Sequence, residues 1–333
     1  MKILWIALAL LCAASCGVLG FLLAKRKPVL TPVYTSQRLK VEDVDDVIEA
    51  FNKVDPKLVI GKEDARLKTG LKELKGIAVG PDDRLYAAGD KAYVVLAMDG
   101  KTEAKVDLSQ TPTCIAVGPD SSVYVGLRDH VEVFDAKGAR AAAWTAPGPL
   151  AWITSIAVTE KEVFVADFGD KTVFRCDKAG KVLGQLGEVG AQAGTGKYEI
   201  PSPYFDVSVD SGGAPWVAHT GRRLLETYRA DGAMANVWGK SGPQIEKFSG
   251  CCNPSHFAMR KDGSFVTAEK GLVRVKVHAA NGDLVGVVAG PKDFEKGIHG
   301  LDLAVDSKDR VLVADPGTST VRIYSLKGGV SHP

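Results

Sequence analysis

Short apolar runs alternate with polar positions along this chain, and the same strand pair is written six times. The copies begin at GIAVGPDDRLYAAGD (Gly76), CIAVGPDSSVYVGLRD (Cys114), SIAVTEKEVFVADFGD (Ser155), DVSVDSGGAPWVAHTG (Asp206), HFAMRKDGSFVTAEKG (His256) and DLAVDSKDRVLVADPG (Asp302). A small residue recurs at Ala78, Ala116, Ala157, Ser208, Ala258 and Ala304, at spacings of 38, 41, 51, 50 and 46. Period-two alternation punctuated by Pro, Asp, Gly and Ser predicts strands and turns. A third strand and often a fourth follow each pair, as TVFRCD and KVLGQLG do in the third copy. Four strands in about forty residues is the size of a propeller blade. The expectation is therefore an all-β, six-bladed β-propeller over residues 57–328, with a short tail at 329–333.

The sixth copy ends after TVRIYS at Ser325, one strand short. An open sheet edge would leave backbone groups unpaired. A segment within Lys57–Lys75 is expected to pair there and close the ring, with Leu58–Ile60 as the candidate strand.

The N-terminal pattern differs. Residues 3–24 are 22 uncharged residues followed by Lys25, Arg26 and Lys27. At ~1.5 Å per residue such a helix spans a bilayer. A membrane anchor over residues 1–27 is expected, making a single pass of a bacterial-type inner membrane. A cleaved signal peptide (small residues Ala13, Ala14 and Ser15) and lipid modification at Cys16 are the rival readings. Only Met1 and Lys2 precede the span, which places the propeller on the periplasmic side; the cationic run at 25–27 argues for the opposite orientation. Residues 28–56 read as a linker, with Pro28 and Pro32, followed by an amphipathic helix over 41–54. Val41, Val44, Ile48 and Phe51 line one of its faces. That face suits packing on the propeller flank or docking on a membrane partner.

Composition adds two bounds. Apolar residues make up 45% of the chain, enough for a large core. The net charge is +2 and no basic stripe interleaved with aromatics is present, which argues against a nucleic-acid partner.

Candidate chemistry follows from position within the repeat. Antiparallel connection puts the loop before strand one and the loop after strand two at the same mouth. Before strand one stand Cys114, Tyr204, Asp206, Cys251, Cys252, Asn253, His256, His299 and Asp302; after strand two stand Asp167, His219, Glu269 and Asp315. Tyr204, Asp206, His219, Asn253, Glu269 and Asp302 are the expected ligand or partner residues. The string SGCCNPSHF (Ser249–Phe257) interrupts the repeat. Its adjacent thiols suit a vicinal disulfide, a metal site or a redox role. Cys251, Cys252, His256 and His299 are the candidate metal ligands, for zinc or copper. Oxygen donors from Asp206, Asn253, Asp302 and Glu269 would instead suit calcium. Trp144, Trp152, Trp216 and Trp238 are expected to pack between blades. No complete catalytic set, nucleotide-binding loop or haem-attachment motif is visible.

The wording of the repeats resembles that of NHL propellers, most closely in SIAV…VFVADFGDKTVFRCDKAG and DLAVDSKDRVLVADPGTSTVRIYS, and the resemblance covers residues 76–326. It implies the propeller fold and, more loosely, a binding or scaffold role for a protein partner or ligand at the mouth. Some members of that family are zinc lyases whose histidines follow a Pro-His pattern; here the string is Pro254-Ser255-His256, one residue displaced. The readings taken forward are a membrane-anchored binding subunit and, from another class, a metal-dependent lyase or hydrolase or a redox accessory subunit of a membrane electron-transfer complex.

Overall fold

Each repeat's first strand is short and largely apolar, so it can be buried only if other strands pack around it. The computed structural model, which describes residues 49–187, 198–229 and 233–327, meets that requirement with six four-stranded antiparallel sheets. The inner strands are Leu74–Val79, Cys114–Val117, Ile153–Val158, Val207–Val209, His256–Met259 and Leu303–Val305. Each touches the next, and the sixth touches the first, so the ring is closed. Blades are numbered here from the sheet containing Leu74–Val79.

The core consists of six seams between neighbouring blades. Ile115, Val125 and Phe134 of blade 2 pack with Tyr86 and Tyr93 of blade 1, for example. Ala157 and Phe164 of blade 3 pack with Val207 and Val217 of blade 4. Trp144 fills the seam between blades 2 and 3, and Trp216 and Trp238 that between blades 4 and 5. Trp152 departs from the expected packing role. It is half-buried, with Phe168 edge-on at 5.1 Å and the Arg128 guanidinium 4.0 Å from its ring centre.

The ring closes from the N-terminal side. Gly61–Lys68 pairs antiparallel with Thr320–Leu326, from Gly61 opposite Leu326 to Lys68 opposite Thr320, and supplies the missing fourth strand of blade 6. Leu67 is buried in the seam between blades 6 and 1. The segment Leu58–Ile60 is not that strand, which corrects the sequence-based choice. Residues Pro56–Leu58 form a 3-10 turn capped by Asp55, and Val59 makes a parallel bridge to Val287 at the outer edge of blade 5. The proline and cap end extended pairing just before the alternating Gly61–Lys68 run can begin.

Residues 49–52 are helical and belong to the same compact unit as the propeller, Asp46–Pro333. The buried Arg274 of blade 5 donates to the Phe51 carbonyl at 2.6 Å and to the Pro243 carbonyl, satisfying a C-terminal helix carbonyl with a cation. The remainder of the expected amphipathic helix and the expected membrane segment at 3–24 lie outside the described residues. Among the described residues no helix is long and apolar enough to cross a membrane.

Candidate functional site at the axial mouth

Six residues occupy the same place in the repeat, the residue that opens each copy at or beside its inner strand: Gly76, Cys114, Ser155, Asp206, His256 and Asp302. Each lies opposite a small strand-two residue. Gly76 pairs with Ala88, Cys114 with Gly126, Ser155 with Ala166 and His256 with Ala268, while Ala218 and Ala314 donate to the carbonyls of Asp206 and Asp302. All of them except Gly76 line one axial cavity of about 240 Å³, which Lys75 and Ile77 border on either side of Gly76. Blades 1 to 3 therefore contribute small or weakly polar groups, and blades 4 to 6 two carboxylates and an imidazole. Space at Gly76 is tight: a Cβ there would stand 3.3 Å from both the Asp302 carboxylate and the Cys114 backbone, so a larger residue would need one of them to give.

The carboxylates tie neighbouring blades together. Asp206 Oδ1 accepts from the Ser155 hydroxyl of blade 3 (2.5 Å) and from its own neighbour Val207, while Oδ2 accepts from the Phe257 N–H of blade 5 (2.8 Å). Asp302 Oδ2 accepts from the Ile77 N–H of blade 1 (2.7 Å), and Oδ1 from Leu303 (2.9 Å). Between the two carboxylates stands His256, its Nδ1 3.5 Å from Asp302 Oδ1 and 3.8 Å from Asp206 Oδ2. Each of these two oxygens accepts one backbone N–H and retains a second lone pair. Burial pushes the Asp206 carboxyl up to about 6, with His256 opposing the shift. Burial also raises Asp302, again opposed by His256. The Cys114 thiol on the same ring is pushed by burial up to about 12, so it acts as a small apolar group.

Tyr204 stands edge-on to His256, with ring centres 6.1 Å apart. Lys270 lies over the Tyr204 ring at 4.4 Å and donates to Ser202 Oγ at 3.2 Å. The loop carrying Cys251 and Cys252 borders this group. Cys251 is exposed and Cys252 buried, with the two sulfurs 3.1 Å apart.

Three other expected site residues lie in the loop-closing framework. His219 is buried and both ring nitrogens are engaged: Nε2 accepts from the Glu199 N–H at 2.9 Å, so Nδ1 carries the proton toward Glu226 Oε1 at 2.9 Å. Glu226 Oε2 in turn accepts from Tyr228, whose hydroxyl accepts from Tyr198. Glu269 is fully buried against the Lys276 ammonium at 2.8 Å and accepts from the Ser249 N–H and hydroxyl. Asn253 is buried, its amide donating to the Ser249 and Lys270 carbonyls and accepting from the Lys270 N–H. His219 and Glu269 occupy the repeat position of Asp167, which caps its own loop by accepting from Trp152, Gly169 and Asp170. Asp315, in the same position, pairs with Arg322. His299 is exposed.

The structure thus brings Tyr204, Asp206, His256 and Asp302 together and assigns His219, Asn253 and Glu269 to other bonds. Among the described residues, no group of three or more His, Cys, Asp and Glu side chains is placed to hold a metal ion. The expected set Cys251, Cys252, His256 and His299 is not assembled as one, nor is the calcium set that needs Asn253 and Glu269. Sequence reasoning missed Ser155 and Lys270. The signal for Ser155 was the repeat register itself, since it opens the third copy as Asp206 opens the fourth. Nothing in the repeat marks Lys270, which enters the site through the turn after strand two.

No family model matches the chain, and no curated protein matches it. Similar solved structures include a streptogramin B lyase, at a TM-score of 0.54 and 10% identity over 79% of this chain and 97% of that one. Virginiamycin B lyase from Staphylococcus aureus is also similar, at a TM-score of 0.51 and 13% identity over 80% of this chain and 89% of that one. With 1069 solved chains matching, the likeness establishes the propeller fold and no activity.

Proposed function

We propose that this protein is a membrane-anchored, NHL-like propeller that acts as a binding subunit, taking a cationic group of a ligand or partner protein at its axial mouth. The observation that supports this is the placement of Asp206, His256 and Asp302 at one repeat position on three successive blades, with two carboxylate oxygens each holding an open lone pair beside the imidazole. An ammonium or guanidinium seated there would receive charge-assisted hydrogen bonds from both carboxylates. Tyr204 adds an aromatic wall. The anchor rests on the uncharged span 3–24 and its Lys25–Lys27 stop, and the propeller is proposed to face the periplasm.

Calorimetric titration of the full-length protein with arginine amide and with 1,4-diaminobutane tests the site. Saturable binding is expected, weakened at least tenfold in Asp302→Asn. Absence of binding by both probes to the folded wild type would refute it.

A second reading, a lyase or hydrolase using the same cluster, is favoured by one observation. Asp206 is raised to about 6 beside a histidine, which suits proton transfer near neutral pH.

A further inference from the structure

The Cys251–Cys252 loop is built as a rigid tip. Ser249 is fixed at its start by two hydrogen bonds to Glu269 Oε2, and Asn253 at its end bonds back to the Ser249 carbonyl at 2.6 Å and to both backbone groups of Lys270. Gly250, at φ +68°, makes the left-handed turn between them. Glu269 is itself held by the buried Lys276 ammonium, which also donates to the Ile245 and Lys247 carbonyls. This frame presents two adjacent thiols unequally: Cys251 is exposed, Cys252 is 1% exposed, and their sulfurs touch at 3.1 Å. The pair stands beside Tyr204 and Lys270 at the rim of the axial mouth: the hydrogen bond to Cys252 holds the Cys251 thiol above its ordinary value, with Lys270 opposing the shift, and burial raises Tyr204 with Cys252 adding to it.

We infer that Cys251 and Cys252 are a thiol–disulfide exchange site, with exposed Cys251 as the entry thiol and buried Cys252 as the resolving thiol, whose substrate is an external disulfide. The Cys251 thiolate attacks one sulfur of the disulfide RSSR, giving a Cys251–S–S–R mixed disulfide and releasing RS⁻. The Cys252 thiolate then attacks Cys251 Sγ, forming the Cys251–Cys252 bond and expelling the second RS⁻. The two protein thiols lose two electrons and two protons, and RSSR gains them as two RSH. Access sets the order of events, because an incoming disulfide can reach Cys251 and not Cys252. The other described cysteines, Cys114 and Cys176, are buried in the seam between blades 2 and 3 and take no part. The inference is independent of the cation site, since it uses neither Asp206 nor Asp302.

The test uses the full-length protein, first reduced and freed of reductant, then exposed to glutathione disulfide and mapped by peptide mass spectrometry. Wild type is expected to lose two hydrogens on the peptide carrying both cysteines and to retain no glutathione there. Cys252→Ser should stop at a stable glutathione adduct on Cys251, and Cys251→Ser should form neither product while folded. A wild-type protein that keeps glutathione on Cys251, or that leaves both thiols free under conditions that oxidise a model dithiol peptide, would overturn the proposal. Rapid glutathione capture by Cys252 in folded Cys251→Ser would overturn the assigned order.

Discussion

His256 Nδ1 stands 3.5 Å from Oδ1 of Asp302, a residue 46 positions further along the chain on the next blade. The two are brought together because both occupy the opening position of their repeat. Repetition carries any residue at that position to the axis. Substituting that position in three copies was enough to concentrate charge at one mouth without altering the β pattern that holds the ring.

The first prediction concerns Asp206. Its folded-state pKa of about 6 lies above its ordinary value of 3.8, so the folded protein binds more protons between those pH values. Stability contributed by this group is present below pH 4 and is lost as pH rises through 6. Relative to Asp206→Asn, the wild type should lose up to about 3 kcal/mol between pH 4 and pH 7 in denaturant titrations. A constant difference across that range would contradict the burial argument. The groups facing Asp206 are His256, Ser155 and Asp302, so His256→Gln should steepen the trend by removing a group that opposes the shift.

Ring closure gives a second prediction. Leu67 is buried in the seam that joins the N-terminal strand to blades 6 and 1. Leu67→Ala should cost about 2–5 kcal/mol in equilibrium unfolding. Val59→Ala, on the bridge to blade 5, should cost less because Val59 is only partly buried. Equal costs would mean that closure is shared between the two segments.

Glu269 and Lys276 supply a third. Both side chains are fully buried, and Glu269→Ala would leave an ammonium without its counter-charge. A loss of about 3–5 kcal/mol is expected in thermal or denaturant unfolding. The exchange loop should loosen as well, read as faster alkylation of Cys252, since Ser249 loses both of its anchoring bonds.

The proposed topology is checked by fusing alkaline phosphatase after Pro333 in bacterial cells. Activity is expected, and cell fractionation should place the fusion in the membrane. An inactive but stable fusion would put the propeller on the cytoplasmic side.

The repeat made the architecture legible before any side chain was considered, because a six-fold pattern of short strands has few ways to bury its apolar faces. The closing strand was legible only as a region. The apolar, largely β-branched run Leu58–Ile60 resembles a strand, and the turn set by Asp55 and Pro56 that excludes it acts through backbone geometry rather than hydrophobic pattern. Position in the repeat placed Asp206, His256 and Asp302 on one mouth. It could not separate them from His219 and Glu269, which stand at the same mouth. That difference lies in which hydrogen bonds the side chains make: His219 is turned onto Glu199 and Glu226, and Glu269 onto Ser249 and Lys276. Residue type alone does not encode that choice.

The most direct test of the account is the NMR signal of the His256 imidazole, assigned by its loss in His256→Gln and followed while arginine amide is added at pH 7. A saturable shift that is abolished in Asp302→Asn and retained in His219→Gln is predicted. A signal that does not move, or that moves equally in Asp302→Asn, would contradict a cation site built from the axial carboxylates.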